Sequence, residues 1–272
     1  MLGRLYQLLV TEQLAALDRM RQEPPSGFRS EPFKAITAFL TVALMLCLMN
    51  FVVLDGDFQT RWSERIIALI ERLPESHWRN FLLDVGPLYR HISWSLGCTT
   101  VYFILPALVV RLVFREPLAA YGVLPRHFFR HLPIYLALFI PVFVAVVAVS
   151  YTEAFQRTYP FYHYPRGLWD LLLWEAFYCL QFFALEFFFR GFMLHATRRC
   201  LGSMAVFAMV VPYCMIHFQK PFAEAVAAIV AGTVLGVLSL RTNTIWGGVF
   251  IHSAVAVTMD VAALIQRGHH VF

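Results

Sequence analysis

The sequence predicts an all-α fold: a polytopic transmembrane bundle of about seven to eight helices, preceded by an amphipathic helix at the membrane interface. Two compositional facts and one pattern support this. Hydrophobic residues make up 59% of the chain, against roughly 45–50% in a soluble domain. Charged residues supply 14%, against about 25%, which leaves too little polar surface to solvate a globule of 272 residues. The apolar residues also gather into runs of about 20, the length that crosses a bilayer.

From Met1 to Gln22, Leu5, Leu8, Leu9, Leu14, Leu17 and Met20 recur at helical spacing between Glu12, Asp18, Arg19 and Arg21. This is the pattern of an interfacial helix, and Pro24-Pro25-Ser26-Gly27 ends it. No signal peptide is expected. The first span is expected over Ala35 to Leu54, before Asp55-Gly56-Asp57. The charged stretch Arg61 to Arg90 carries an apolar face, Ile66, Ile67, Leu69 and Ile70, and reads as a second interfacial helix. Further spans are expected near His91–Val113, Leu132–Tyr151, Leu168–Leu194, Met204–His217 (short), Phe222–Leu240 and Ile245–Ile265. The chain thus divides into an N-terminal segment, 1–34, and a bundle, 35–272. Arg111, Arg115, Arg126, Arg130, Arg198, Arg199 and Arg241 fall on one side, so the N-terminus is expected to be cytoplasmic.

The net charge of +5 comes from loop arginines. In a membrane chain it indicates orientation and contact with lipid, not with nucleic acid. Cys47, Cys98, Cys179, Cys200 and Cys214 are scattered, lack metal-ligand spacing and read as packing residues.

Ionisable groups inside the late spans carry the chemical information. Such a group at mid-membrane costs about 2.5–3.5 kcal/mol on insertion scales and normally faces protein or a wet cavity. In Ala184-Leu185-Glu186-Phe187-Phe188-Phe189-Arg190-Gly191, Glu186 and Arg190 are four apart and share a helix face. The next span ends Tyr213-Cys214-Met215-Ile216-His217, and the last holds His252 and, two turns on, Asp260. Each has a structural alternative: a clamp for the Glu–Arg pair, an interhelical hydrogen bond for a histidine, a bridge for Asp260. Together, a glutamate, two histidines and an arginine on three spans are the parts needed to bind water, remove its proton and stabilise an oxyanion.

The order of these motifs, Glu186-x-x-x-Arg190-Gly191, then Tyr213-x-x-x-His217, then His252, resembles the CAAX-protease and bacteriocin-processing family of intramembrane proteases, over roughly residues 90 to 265. Lys220-Pro221, Gly232, Gly236 and the run Leu240 to Trp246 agree with it. The resemblance implies a bundle of about eight helices with a wet cavity opening into the membrane, cleaving a peptide or protein near the membrane or at its C-terminus. It further implies Glu186 as the base on a water held by His217, Arg190 orienting the glutamate, His252 donating to the oxyanion, and Tyr213 and Asp260 in support. Leu185 stands where the family pattern has a first glutamate, and Ala256 where it has asparagine or aspartate. A zinc ion held by Glu186, His217 and His252 has permissible ligand types, but no HExxH pair is present and metal-free chemistry is expected. The alternative is a degenerate relative that binds partners without cutting them, as an immunity or regulatory factor. A transporter would show inverted repeats with broken helices, which the sequence lacks.

Overall fold

The computed structural model describes residues 7, 11–20, 30–126, 128–163 and 165–268. Six described helices are long and apolar enough to cross a membrane: α2 (Glu31–Val53), α5 (Gly86–Phe114), α6 (Phe128–Val149), α8 (Leu168–Leu201), α10 (Phe222–Thr242) and α11 (Trp246–Gln266). Shorter α-helices among the described residues are α1 (Glu12–Met20), α3 (Gly56–Glu71), α4 (His77–Asp84), α7 (Glu153–Thr158) and α9 (Met204–Met215). The protein is an all-α, multi-pass integral membrane protein.

Helix boundaries follow local chemistry. Ser30 caps α2 by accepting the Phe33 amide, and Asp55 caps α3 by accepting the Phe58 amide at 2.7 Å. The left-handed backbone of Asn243 (φ 51°) ends α10, a conformation asparagine tolerates better than most residues. The spans match the expected runs closely, with two exceptions: α8 continues past Leu194 through Arg198 and Arg199, and the expected short span Met204–His217 is the helix Met204–Met215, too short to count among the six.

The expected N-terminal helix is described only over Glu12–Met20; residues 1–6, 8–10 and 21–29, like His269 and His270, lie outside the described residues. Helix α1 is anchored to protein as well as amphipathic. Leu14 packs on Leu194, Ala205, Val206 and Val237, Leu17 is buried, and the Ser203 amide and hydroxyl donate to Asp18 at 2.7 and 3.0 Å.

Helix α8 is the central element, packed against α2, α5, α9 and α11. Its segment Phe187–Met193, with sequence FFFRGFM, is entirely buried, as expected of a stretch that is apolar nearly all round. The helix widens there into π-type i→i+5 bonding. Phe188 stacks on Tyr102 (4.7 Å between centroids), Phe187 meets Phe103 edge-on (4.9 Å), and Phe192 stacks on Phe114 (6.2 Å). These contacts fix the rotation of α8 and leave Glu186 and Arg190 directed towards α9 and α11.

Helices α9 and α10 pack through Gly232, where an added Cβ would stand 2.9 Å from Tyr213 Cδ1. Gly232→Val therefore pushes α9 outward. Overpacking of this kind costs about 1–3 kcal/mol, to be read as a lowered unfolding midpoint in detergent.

Candidate active site

Glu186 lies at the centre of the bundle and is 1% exposed; Arg190, one turn on, is fully buried. The Arg190 Nη1 donates to Glu186 Oε1 at 2.9 Å. Two buried charges persist in a low-dielectric interior only when paired in good geometry, and the four-residue spacing on one helix provides it. The Tyr213 ring, 1% exposed, covers the Arg190 guanidinium at 4.0 Å from its centroid, a cation–π contact shielded from solvent.

Helix α11 brings in the imidazole. Its Gly248 allows the helix backbone to lie against the acid, because a Cβ at that position would run into the Glu186 carboxylate. One turn further, His252 Nδ1 lies 2.8 Å from Glu186 Oε1. Its other nitrogen, Nε2, is 2.7 Å from the Tyr213 hydroxyl, and Phe182 stacks parallel on the ring at 5.7 Å. Glu186, Arg190, Tyr213 and His252 thus form one contiguous cluster drawn from α8, α9 and α11.

His217 stands at the edge of this cluster. Its Nδ1 lies 2.8 Å from the Tyr213 carbonyl one turn back, and its ring meets the Tyr213 ring edge-on at 4.9 Å. A carbonyl can only accept, so Nδ1 carries the hydrogen and Nε2 keeps its lone pair.

Asp260 is fully buried and sits elsewhere: Trp174 Nε1 donates to its Oδ2 at 2.7 Å. Its Oδ1, both carboxylate oxygens of Glu175 and the Ser253 hydroxyl are buried without a hydrogen bond among the described residues. Beyond them the Tyr159 hydroxyl donates to the Glu224 carboxylate (2.8 and 2.9 Å), and Lys220 pairs with Glu224 at 2.8 Å. Polar groups therefore continue past the cluster towards the Lys220 turn. The Lys220–Glu224 spacing is legible in sequence, whereas the part played by Tyr159 has no sequence signal.

Glu186, His217 and His252 are the ligand set weighed for zinc against the expected metal-free chemistry, and their side chains face protein groups. Among the described residues no group of three His, Cys, Asp or Glu side chains is placed to hold an ion. Arg190 already holds Glu186 Oε1, both His252 nitrogens face protein groups, and His217 spends Nδ1 on a carbonyl. His195, which belongs to none of the motifs, is buried, with Nδ1 2.8 Å from the Arg190 carbonyl.

Residues 166–258 match the family model for type II CAAX prenyl endopeptidase Rce1-like proteins. This stretch, about a third of the chain, is similar to Rce1-like domains. It spans α8 to α10 and most of α11, so it contains Glu186, Arg190, Tyr213, His217 and His252 and stops short of Asp260. The Rce1-like family is a family of proteases. No curated protein and no solved structure matches the chain.

Proposed function

We propose that the protein is an intramembrane endopeptidase whose Rce1-like domain hydrolyses a peptide bond with Glu186 as general base. One observation carries this reading: a fully buried glutamate is held between a guanidinium and an imidazole, with its second oxygen uncommitted. Glu186 Oε2, together with Arg190 Nε and Nη2, has no hydrogen-bond partner among the described residues. Buried polar atoms in native proteins carry hydrogen bonds, so this arrangement suits a bound water and a substrate carbonyl.

In this reading Glu186 Oε2 takes a proton from water as the water oxygen attacks the peptide carbonyl. His217, presenting Nε2, orients that water. The new C–O bond places negative charge on the former carbonyl oxygen, and the Tyr213–His252 pair stabilises it. The C–N bond then breaks, and the proton held by Glu186 passes to the departing nitrogen. Arg190 holds the carboxylate in position. Asp260, bonded to Trp174, supports the packing of α11 against α8 and stands outside the reaction. The chemistry requires no metal, and the substrate is a peptide or protein whose cleavage site lies at or near the membrane. The arginine distribution supports an N-terminus on the cytoplasmic face.

A second reading has specific support. Leu185 packs against the main apolar cluster and Ala256 is 3% exposed among the residues around Trp174. The two positions that depart from the family pattern thus serve as core, which suits a non-cutting binder.

Purified protein in liposomes with membrane-tethered peptides separates the two. Cleavage by the wild type is expected, reduced about 10- to 100-fold in His217→Ala and less in Tyr213→Phe, and unchanged by chelators. Retention of the peptide without cleavage by the wild type would establish the binding reading instead.

A further inference from the structure

A cavity of about 130 Å³ opens where three spans end, lined by Glu31, Lys34, Glu116, Tyr121, His195, Arg198 and Arg199 among others. Glu31 begins α2, Glu116 follows the end of α5, and Arg198 and Arg199 lie in the last turn of α8. Helix ends at this position put the cavity at headgroup depth, on the face that also carries Arg111, Arg115 and Arg241.

Its charges do not cancel. Lys34 is shared between Glu116, to which it donates, and Glu31 at 3.6 Å. Arg199 reaches Glu31 at 3.5 Å, and the Tyr121 hydroxyl donates to Glu116 Oε2 at 2.6 Å. Burial pushes the Glu116 carboxyl up, but the hydrogen bonds from Lys34 and Tyr121 outweigh it and hold it below the usual carboxylate range. Both acids are thereby occupied. Arg198, half-buried in the wall, has no hydrogen bond or ion pair from its side chain among the described residues. A guanidinium offers five N–H groups in a planar fork matched to phosphate oxygens. The volume corresponds to about four waters at roughly 30 Å³ each, space for one phosphate group.

We propose that this cavity binds a single phosphate group, gripped by Arg198 with Arg199 beside it, and that an anionic lipid headgroup is its source. The site is separate from the Glu186 cluster, with His195 between them through its contact with the Arg190 carbonyl. Neither proposal depends on the other.

Native mass spectrometry of the purified full chain tests it, with phosphatidylglycerol, phosphatidylcholine and inorganic phosphate as separate additions. One phosphatidylglycerol is expected to survive delipidation, in preference to phosphatidylcholine. Arg198→Gln should weaken retention at least tenfold and Arg198→Lys less, with Arg241→Gln, on the same face and exposed, as wild type. Displacement of the lipid by millimolar inorganic phosphate would assign the site to free phosphate and overturn the lipid source. Equal retention by Arg198→Gln, or by the wild type of either lipid, would overturn the site itself.

Discussion

Glu186→Gln is expected to reduce peptide cleavage by about 10²- to 10⁴-fold, the range spanned by a positioned general acid or base, while the protein still folds and inserts. Glutamine keeps the shape of the side chain and an oxygen that can accept from Arg190, which now donates at 2.9 Å. What it loses is the second carboxylate oxygen, the atom without a partner among the described residues. His252→Ala should fall in the same range, because its imidazole lies 2.8 Å from the same carboxylate. Groups that act as a unit are strongly non-additive, so the double variant should be scarcely slower than either single one. Initial rates in proteoliposomes provide the test. Wild-type rates in Glu186→Gln would remove the glutamate from the reaction.

The second large effect is on stability. Arg190→Leu should lower unfolding free energy by about 3–5 kcal/mol, the cost of leaving one member of a buried ion pair uncompensated. Arg190 is fully buried and Glu186 nearly so, so solvent cannot replace the missing guanidinium. Adding Glu186→Gln should recover much of the loss, since a neutral amide costs less to bury than a carboxylate. A double-mutant cycle of denaturation midpoints in detergent isolates this coupling. Additive losses would mean that the two side chains stabilise the bundle independently.

The spans were legible because a bilayer demands length and apolarity, both of which are written directly in the sequence. The end of α8 was less so. Arg198 and Arg199 look like a boundary, yet the helix carries them to Leu201, with Arg199 turned towards Glu31. The motifs named Glu186, Arg190, Tyr213, His217 and His252, but their contacts depend on helix rotation and spacing. Those are set by the phenylalanines around α8 and by the glycines Gly232 and Gly248, whose partners lie in other helices. No one-dimensional pattern announces that the Tyr213 hydroxyl would meet His252 while its ring covers Arg190. His195 was missed for the same reason: its value lies in the carbonyl it faces.

Helix α9 has 12 residues, Met204–Met215, and so reaches about 18 Å against a hydrocarbon core of about 30 Å. Beyond its end, the turn carrying Phe218 and Lys220 leads into Phe222, which is 84% exposed. A helix this short leaves a mismatch with the hydrocarbon core, and mismatch costs a fraction of a kcal/mol per ångström. In the proposed peptidase, a bilayer thinned beside so short a helix would shorten the path of a peptide to His217, so bilayer thickness would act on access before any side chain does.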